Sequence, residues 1–285
     1  MTEPLRCYRH PERETYVSCS ECGRGICPDC MTYGPVGIRC PDHASVRGKP
    51  APAARRAAAS TIRTLGLRGP IVTQTLIAVN VLVFLVQLFN GADLMRLDTG
   101  WIYENGVLVD QAVNSSGQLV GVAEGEWWRL VTATFLHGSL IHLGMNMLVL
   151  WLIGPPVEEY FGHARYLLLY LVSGLAGSAG ALILSGGRPT VGASGAIFGL
   201  MGAALILEWR RIWVFGGQAL GLVVVNLALT FAIPGISIGG HIGGLIGGGL
   251  CALAFSSFRR SPAVATLAMA AVGVVSVGLA AAQVA

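Results

Sequence analysis

Residues 238–256 read Ile-Gly-Gly-His-Ile-Gly-Gly-Leu-Ile-Gly-Gly-Gly-Leu-Cys-Ala-Leu-Ala-Phe-Ser, with no acidic or basic residue except one imidazole, His241. A helix that crosses a bilayer needs about 20 mostly apolar residues. This stretch has the length, and its glycines let a neighbouring helix come close. A polar ring at that depth is costly to bury, so it asks for a functional reason.

Six more apolar runs surround it, at 71–89, 140–157, 163–184, 193–208, 212–232 and 262–284. Seven spans with short connections predict an all-α membrane protein. Composition agrees: 53% of the 285 residues are hydrophobic and 12% are charged, about half the usual charged share. The N-terminus is polar, so no cleaved signal is expected and the first span serves as an anchor. Residues 90–139 form one long loop between the first two spans. Its Trp101, Tyr103 and Trp127 suit a segment lying at the lipid interface.

The charges set an orientation. Arg55, Arg56, Arg63 and Arg68 precede the first span. Arg165, Arg210, Arg211, Arg259 and Arg260 fall in loops on the same side, against Arg96, Arg129 and Arg188 on the other. The positive-inside bias then predicts a plasma-membrane protein with a cytosolic N-terminus and an extracytoplasmic C-terminus. The arginines ahead of the first span are accounted for by that bias, and no nucleic-acid partner is expected.

Residues 1–43 differ in kind. Cys7/His10, Cys19/Cys22, Cys27/Cys30 and Cys40/His43 are four pairs with one spacing. Eight such donors suffice for two tetrahedral zinc ions. Disulfides are the competing reading, but histidine cannot form one and the cytosol keeps thiols reduced. So short a segment builds little core, and metal would supply most of its folding energy. Both sites would be closed, which points to a scaffold or a site for a cytosolic protein partner. Residues 44–69, rich in Ala, Arg and Pro, read as a linker.

Four polar residues in the spans carry the chemistry. Ser194 lies in Gly192-Ala193-Ser194-Gly195, where a helix N-terminus suits a developing oxyanion. Taken alone, that motif also reads as small-residue packing, and His241 alone as a structural histidine. Gly195 and Gly199 match the spacing of Gly244 and Gly248, so two glycine faces would pack and bring Ser194 to His241. That pair is a nucleophile with its base. His142 and Asn146 share a helical face and can both donate hydrogen bonds to an oxyanion. A polar bond between helices is the other reading of Asn146, and His137 reads as structural or water-holding.

These residues resemble the rhomboid proteases across about 70–260. The resemblance rests on Trp128-Arg129, His137, the His142-x-x-x-Asn146 pattern, Gly192-Ala193-Ser194-Gly195 and His241-Ile242-Gly243-Gly244. It implies a core of six transmembrane helices, with 261–285 an additional one. It implies a Ser194–His241 dyad without an acidic third member, and an oxyanion site from His142, Asn146 and the Ser194 amide. It implies hydrolysis within or near transmembrane segments of other proteins in the bilayer. Trp128 and Arg129 would fix the long loop, and Glu158 matches a structural carboxylate. Phe198 stands where the family often has Tyr packed on the catalytic histidine, so stacking is kept and a hydroxyl is lost. A catalytically silent relative that binds transmembrane clients is the alternative. The N-terminal spacing resembles B-box zinc fingers, whose cross-brace would join Cys7, His10, Cys27 and Cys30 at one ion and Cys19, Cys22, Cys40 and His43 at the other. Sequential pairing fits the spacing equally well.

Overall fold

A computed structural model describes residues 4–33, 37–44, 69–90, 93–95, 98–184, 187–212 and 214–285. It divides into two compact units, Met1–Arg68 and Gly69–Ala285. The expected linker, with Arg55, Arg56, Arg63 and Arg68, lies outside the described residues apart from positions 44 and 69, as does Arg96.

The N-terminal unit is built from scraps of regular structure. Leu5–Arg6 pairs with Glu14–Thr15, and Thr32–Tyr33 with Ile38–Arg39, both antiparallel. A single turn at Pro28–Cys30 and a short helix at Pro41–Ala44 complete it. Its buried apolar cluster is Ile26 with five cysteines. Elements this short cannot hold themselves in register, so the cysteines must contribute more than packing.

The second unit is helical. Among the described residues its seven apolar helices are α1 (Ile71–Phe89), α2 (Leu140–Phe161), α3 (His163–Leu184), α4 (Ser194–Trp209), α5 (Ala219–Ala232), α6 (Ile238–Ser257) and α7 (Pro262–Val284). All but α4 and α5 are long and apolar enough to cross a membrane. The apolar runs predict these bounds closely, with two differences. The run at 212–232 becomes helix only from Ala219. Gly216 and Gly217 take positive φ, and the buried Glu208 carboxylate accepts the amides of Phe215, Gly217 and Ala219. That carboxylate satisfies amides that a longer helix would have to satisfy itself. Helix α2 runs on to Phe161 through Pro155 and Pro156 and stops at Gly162, whose φ of 76° only glycine adopts readily.

Helices α3, α4 and α6 form the centre, and glycine sets their separation. A β-carbon on Gly244 would collide with the Gly195 carbonyl, and one on Gly248 with that of Gly199. On α3, Gly180 meets the Gly239 carbonyl in the same way. Helix α1 is held at its start by α2, because the buried Glu158 carboxylate accepts the amides of Val72 and Thr73 and the Thr73 hydroxyl.

Residues 98–139 of the long loop are structured. They contain a helix at Trp101–Gly106, a hairpin of Ala112–Val113 with Leu119–Val120, and a helical turn at Arg129–Thr132. Leu108, Val122 and Leu130 pack on Ala179 and Leu182 of α3, while Trp101, Trp127 and Trp128 are exposed. Arg129 is fully buried. It donates to Glu126 at 2.7 Å and to the carbonyls of Glu104 and Val107 at 2.8 Å, and Trp128 donates its indole N–H to Asn105. One guanidinium thus ties together three parts of the loop.

Candidate active site

Ser194 opens α4, and the chain enters it through Gly192 at a φ of 125°. The site needs glycine there twice over. The backbone sits where L side chains rarely go, and a β-carbon would stand 2.7 Å from His142 Nε2. The same imagined atom is 3.7 Å from Ser194 Oγ, so the imidazole edge and the hydroxyl face one spot. The Gly138 amide donates to His142 Nδ1 at 3.4 Å. Nδ1 is then the acceptor, and the ring proton of a neutral His142 sits on Nε2, the nitrogen beside Gly192.

His241 lies in the first turn of α6, whose N-cap Ser237 accepts the Gly240 amide. Phe198, one turn beyond Ser194 on α4, stacks on its imidazole with centroids 4.1 Å apart and planes 19° apart. Residues four apart share a helix face, so the ring rests on the face that Ser194 begins. The backbones agree: a β-carbon on Gly195 would lie 3.2 Å from the Gly240 carbonyl. Among the described residues, no hydrogen bond joins the Ser194 hydroxyl to His241. Such bonds often tighten only when substrate is bound. A small cavity reaches Ser194, lined also by Thr134, Thr190, Gly192, Ser237 and Gly240.

The other expected residues divide. Asn146 is buried and donates one amide proton to the His142 carbonyl at 2.9 Å, which leaves its second proton for another acceptor. His137 is fully buried, its ring nitrogens make no hydrogen bond, and it meets His142 edge-on at 5.1 Å. Its backbone pairs with the Gln87 side chain on α1. Sequence reasoning missed Gln87, Glu208 and Thr230, whose hydroxyl lies 2.6 Å from His241 Nδ1. Each was visible only as a lone polar residue in or beside an apolar run.

In the N-terminal unit the eight donors form two clusters, Cys7/His10/Cys27/Cys30 and Cys19/Cys22/Cys40/His43. This is the alternating arrangement, not the sequential one. A tetrahedral zinc with bonds of about 2.3 Å to sulfur separates its ligand sulfurs by about 3.8 Å. Here Cys22 and Cys40 sulfurs are 3.9 Å apart, and Cys27 and Cys30 lie 3.4 and 3.5 Å from His10 Nδ1. The donor sets therefore fit a metal ion. The Cys19 thiol is pulled down to about 6, first by the Cys40 amide and, against the effect of burial, by the amides of Glu21 and Cys22.

Residues 124–258 match the Rhomboid domain family. Rhomboid protease GluP of Bacillus subtilis is 44% identical over 137 residues, covering 47% of this chain and 27% of GluP. YdcA of the same bacterium is 38% identical over 141 residues, 47% of this chain and 69% of YdcA. RHOMBOID-like protein 5 of Arabidopsis thaliana is 39% identical over 138 residues, 45% of this chain and 43% of the plant protein. The chain thus spans about a quarter of GluP and under half of the plant relative.

Proposed function

Because the chain belongs to the rhomboid family, we propose that it is an intramembrane serine endopeptidase that cuts other membrane proteins in or near their transmembrane segments. The observation that carries this reading is the Phe198 stack, which holds His241 against the helix face that begins with Ser194.

In the proposed reaction, Ser194 Oγ bonds to the substrate carbonyl carbon as its proton passes to His241 Nε2. The carbonyl oxygen becomes an oxyanion. It is met by the Ser194 amide at the α4 N-terminus, by His142 Nε2–H and by the remaining amide proton of Asn146. The C–N bond then breaks, and His241 gives its proton to the leaving amine. Water attacks the acyl-enzyme by the same route in reverse, its proton returning through His241 to Ser194. Arg129 and Trp128 hold the loop beside the site, and Gly192, Gly195 and Gly244 permit the approach.

The N-terminal unit is proposed to be a B-box-like module, residues 1–43, holding two structural zinc ions on the clusters described. When bound, zinc supplies folding free energy. The closed, all-protein ligand sets support a structural role, and a cytosolic protein is the proposed partner of this module. We place the protease core at 70–260, the added helix at 261–285 and the linker at 44–69. The arginine bias supports a plasma-membrane location with the N-terminus in the cytosol.

The test is a tagged single-span membrane protein expressed with the parent chain, with Ser194→Ala and with His241→Ala. The parent releases a fragment and both variants do not. Equal release from all three would overturn the reading.

A further inference from the structure

Thr230 in α5 is 2% exposed and makes two hydrogen bonds. Its Oγ1 lies 2.8 Å from the Asn226 carbonyl oxygen, one turn earlier, and 2.6 Å from His241 Nδ1. A hydroxyl has one proton to give, and a carbonyl oxygen can only accept. Both contacts are hydrogen bonds at once only if the Thr230 proton goes to Asn226 and Nδ1 donates to a Thr230 lone pair. A neutral imidazole carries one ring proton. With that proton on Nδ1, Nε2 is left bare.

Phe198 fixes the plane of the ring, but a half-turn about the Cβ–Cγ bond keeps that plane and exchanges Nδ1 with Cδ2. A hydrogen bond at one edge removes that freedom. When Nε2 takes a proton the ring becomes a cation, and Nδ1–H remains bound to an oxygen, where the interaction strengthens. A base oriented by a third group is the general arrangement for activating a weak nucleophile. Here the third group is neutral, which suits a site among apolar helices where a carboxylate would be expensive.

We infer that Thr230 is the positioning residue that holds His241 in the Nδ1–H tautomer and so keeps Nε2 available as the base. The inference rests on the serine-protease reading for its catalytic consequence, but the tautomer can be measured without it.

The experiment uses the full chain reconstituted in lipid with 15N-labelled histidine. Parent, Thr230→Ser, Thr230→Val and Ser194→Ala are compared, and the His241 signals are identified by their loss in His241→Ala. Valine keeps the shape of threonine and removes both hydrogen bonds. The parent and Thr230→Ser show a protonated Nδ1 and a bare Nε2, and Thr230→Val shifts toward the other tautomer. With the tagged single-span protein as substrate, Thr230→Val lowers kcat by about ten- to a hundredfold and leaves KM unchanged, and Thr230→Ser restores most of the rate. A parent ring protonated on Nε2, or a Thr230→Val chain with the parent's spectrum and kcat, overturns the inference. If Ser194→Ala releases as much fragment as the parent, the protease reading fails instead, and the nitrogen spectra still decide the role of Thr230.

Discussion

Helices α4 and α6, which carry Ser194 and His241, approach each other because side chains are missing between them. The Gly195–Gly244 and Gly199–Gly248 contacts leave no room for a β-carbon. Gly244→Ala must therefore push α6 away from α4, at a cost of about 1–3 kcal/mol of overpacking. We expect a lower Tm and lost cleavage. Gly278→Ala, where nothing lies within 4 Å, leaves both unchanged. This part of the site was legible, since glycine at a fourfold spacing on two apolar runs has a direct physical meaning. Thr230 was not. One hydroxyl in an apolar run is ordinary, and its meaning depends on how α5 and α6 turn toward each other. Asn146 was legible as a donor on the His142 face, but not the loan of one of its protons to the His142 carbonyl.

At the scale of elements, apolar runs bounded by Gly, Pro or Arg fixed most helix ends within a few residues. The exception at 212–218 is instructive. Apolar residues there suggest helix, yet Glu208 collects three amides of the connection and delays α5 to Ala219. Glu158 does related work for α1. Its carboxylate meets the first amides of that helix, where the dipole favours negative charge, and His163 Nδ1 lies 2.6 Å from Oε1, the oxygen that also accepts the Val72 amide. Glu158→Ala leaves buried amides without an acceptor, so stability should fall by about 2–3 kcal/mol. Thermal unfolding in detergent measures this, with the exposed Glu159→Ala as a control that stays at the parent Tm. An equal effect of the two changes would show that the clamp contributes nothing.

For the whole molecule, sequence composition already separates a Cys/His-rich unit from an apolar one, and contacts divide the chain at Arg68. Which cysteines share a cluster was beyond the spacing, because Cys7 reaches Cys27 only through the folding of the chain between them. If zinc organises the first unit, chelation should open residues 1–44 to protease while fragment release by the second unit continues. Zinc content falling from two per chain toward zero with no change in protease sensitivity would contradict the structural role. The central claim concerns one oxygen atom, and a fluorophosphonate tests it most directly. Attack by an activated Ser194 forms an Oγ–P bond, expels fluoride and passes a proton to His241. Mass spectrometry should find the adduct on Ser194 in the parent chain and find it strongly reduced in His241→Ala. An unmodified Ser194 in the parent, or equal labelling when His241 is gone, would contradict the account.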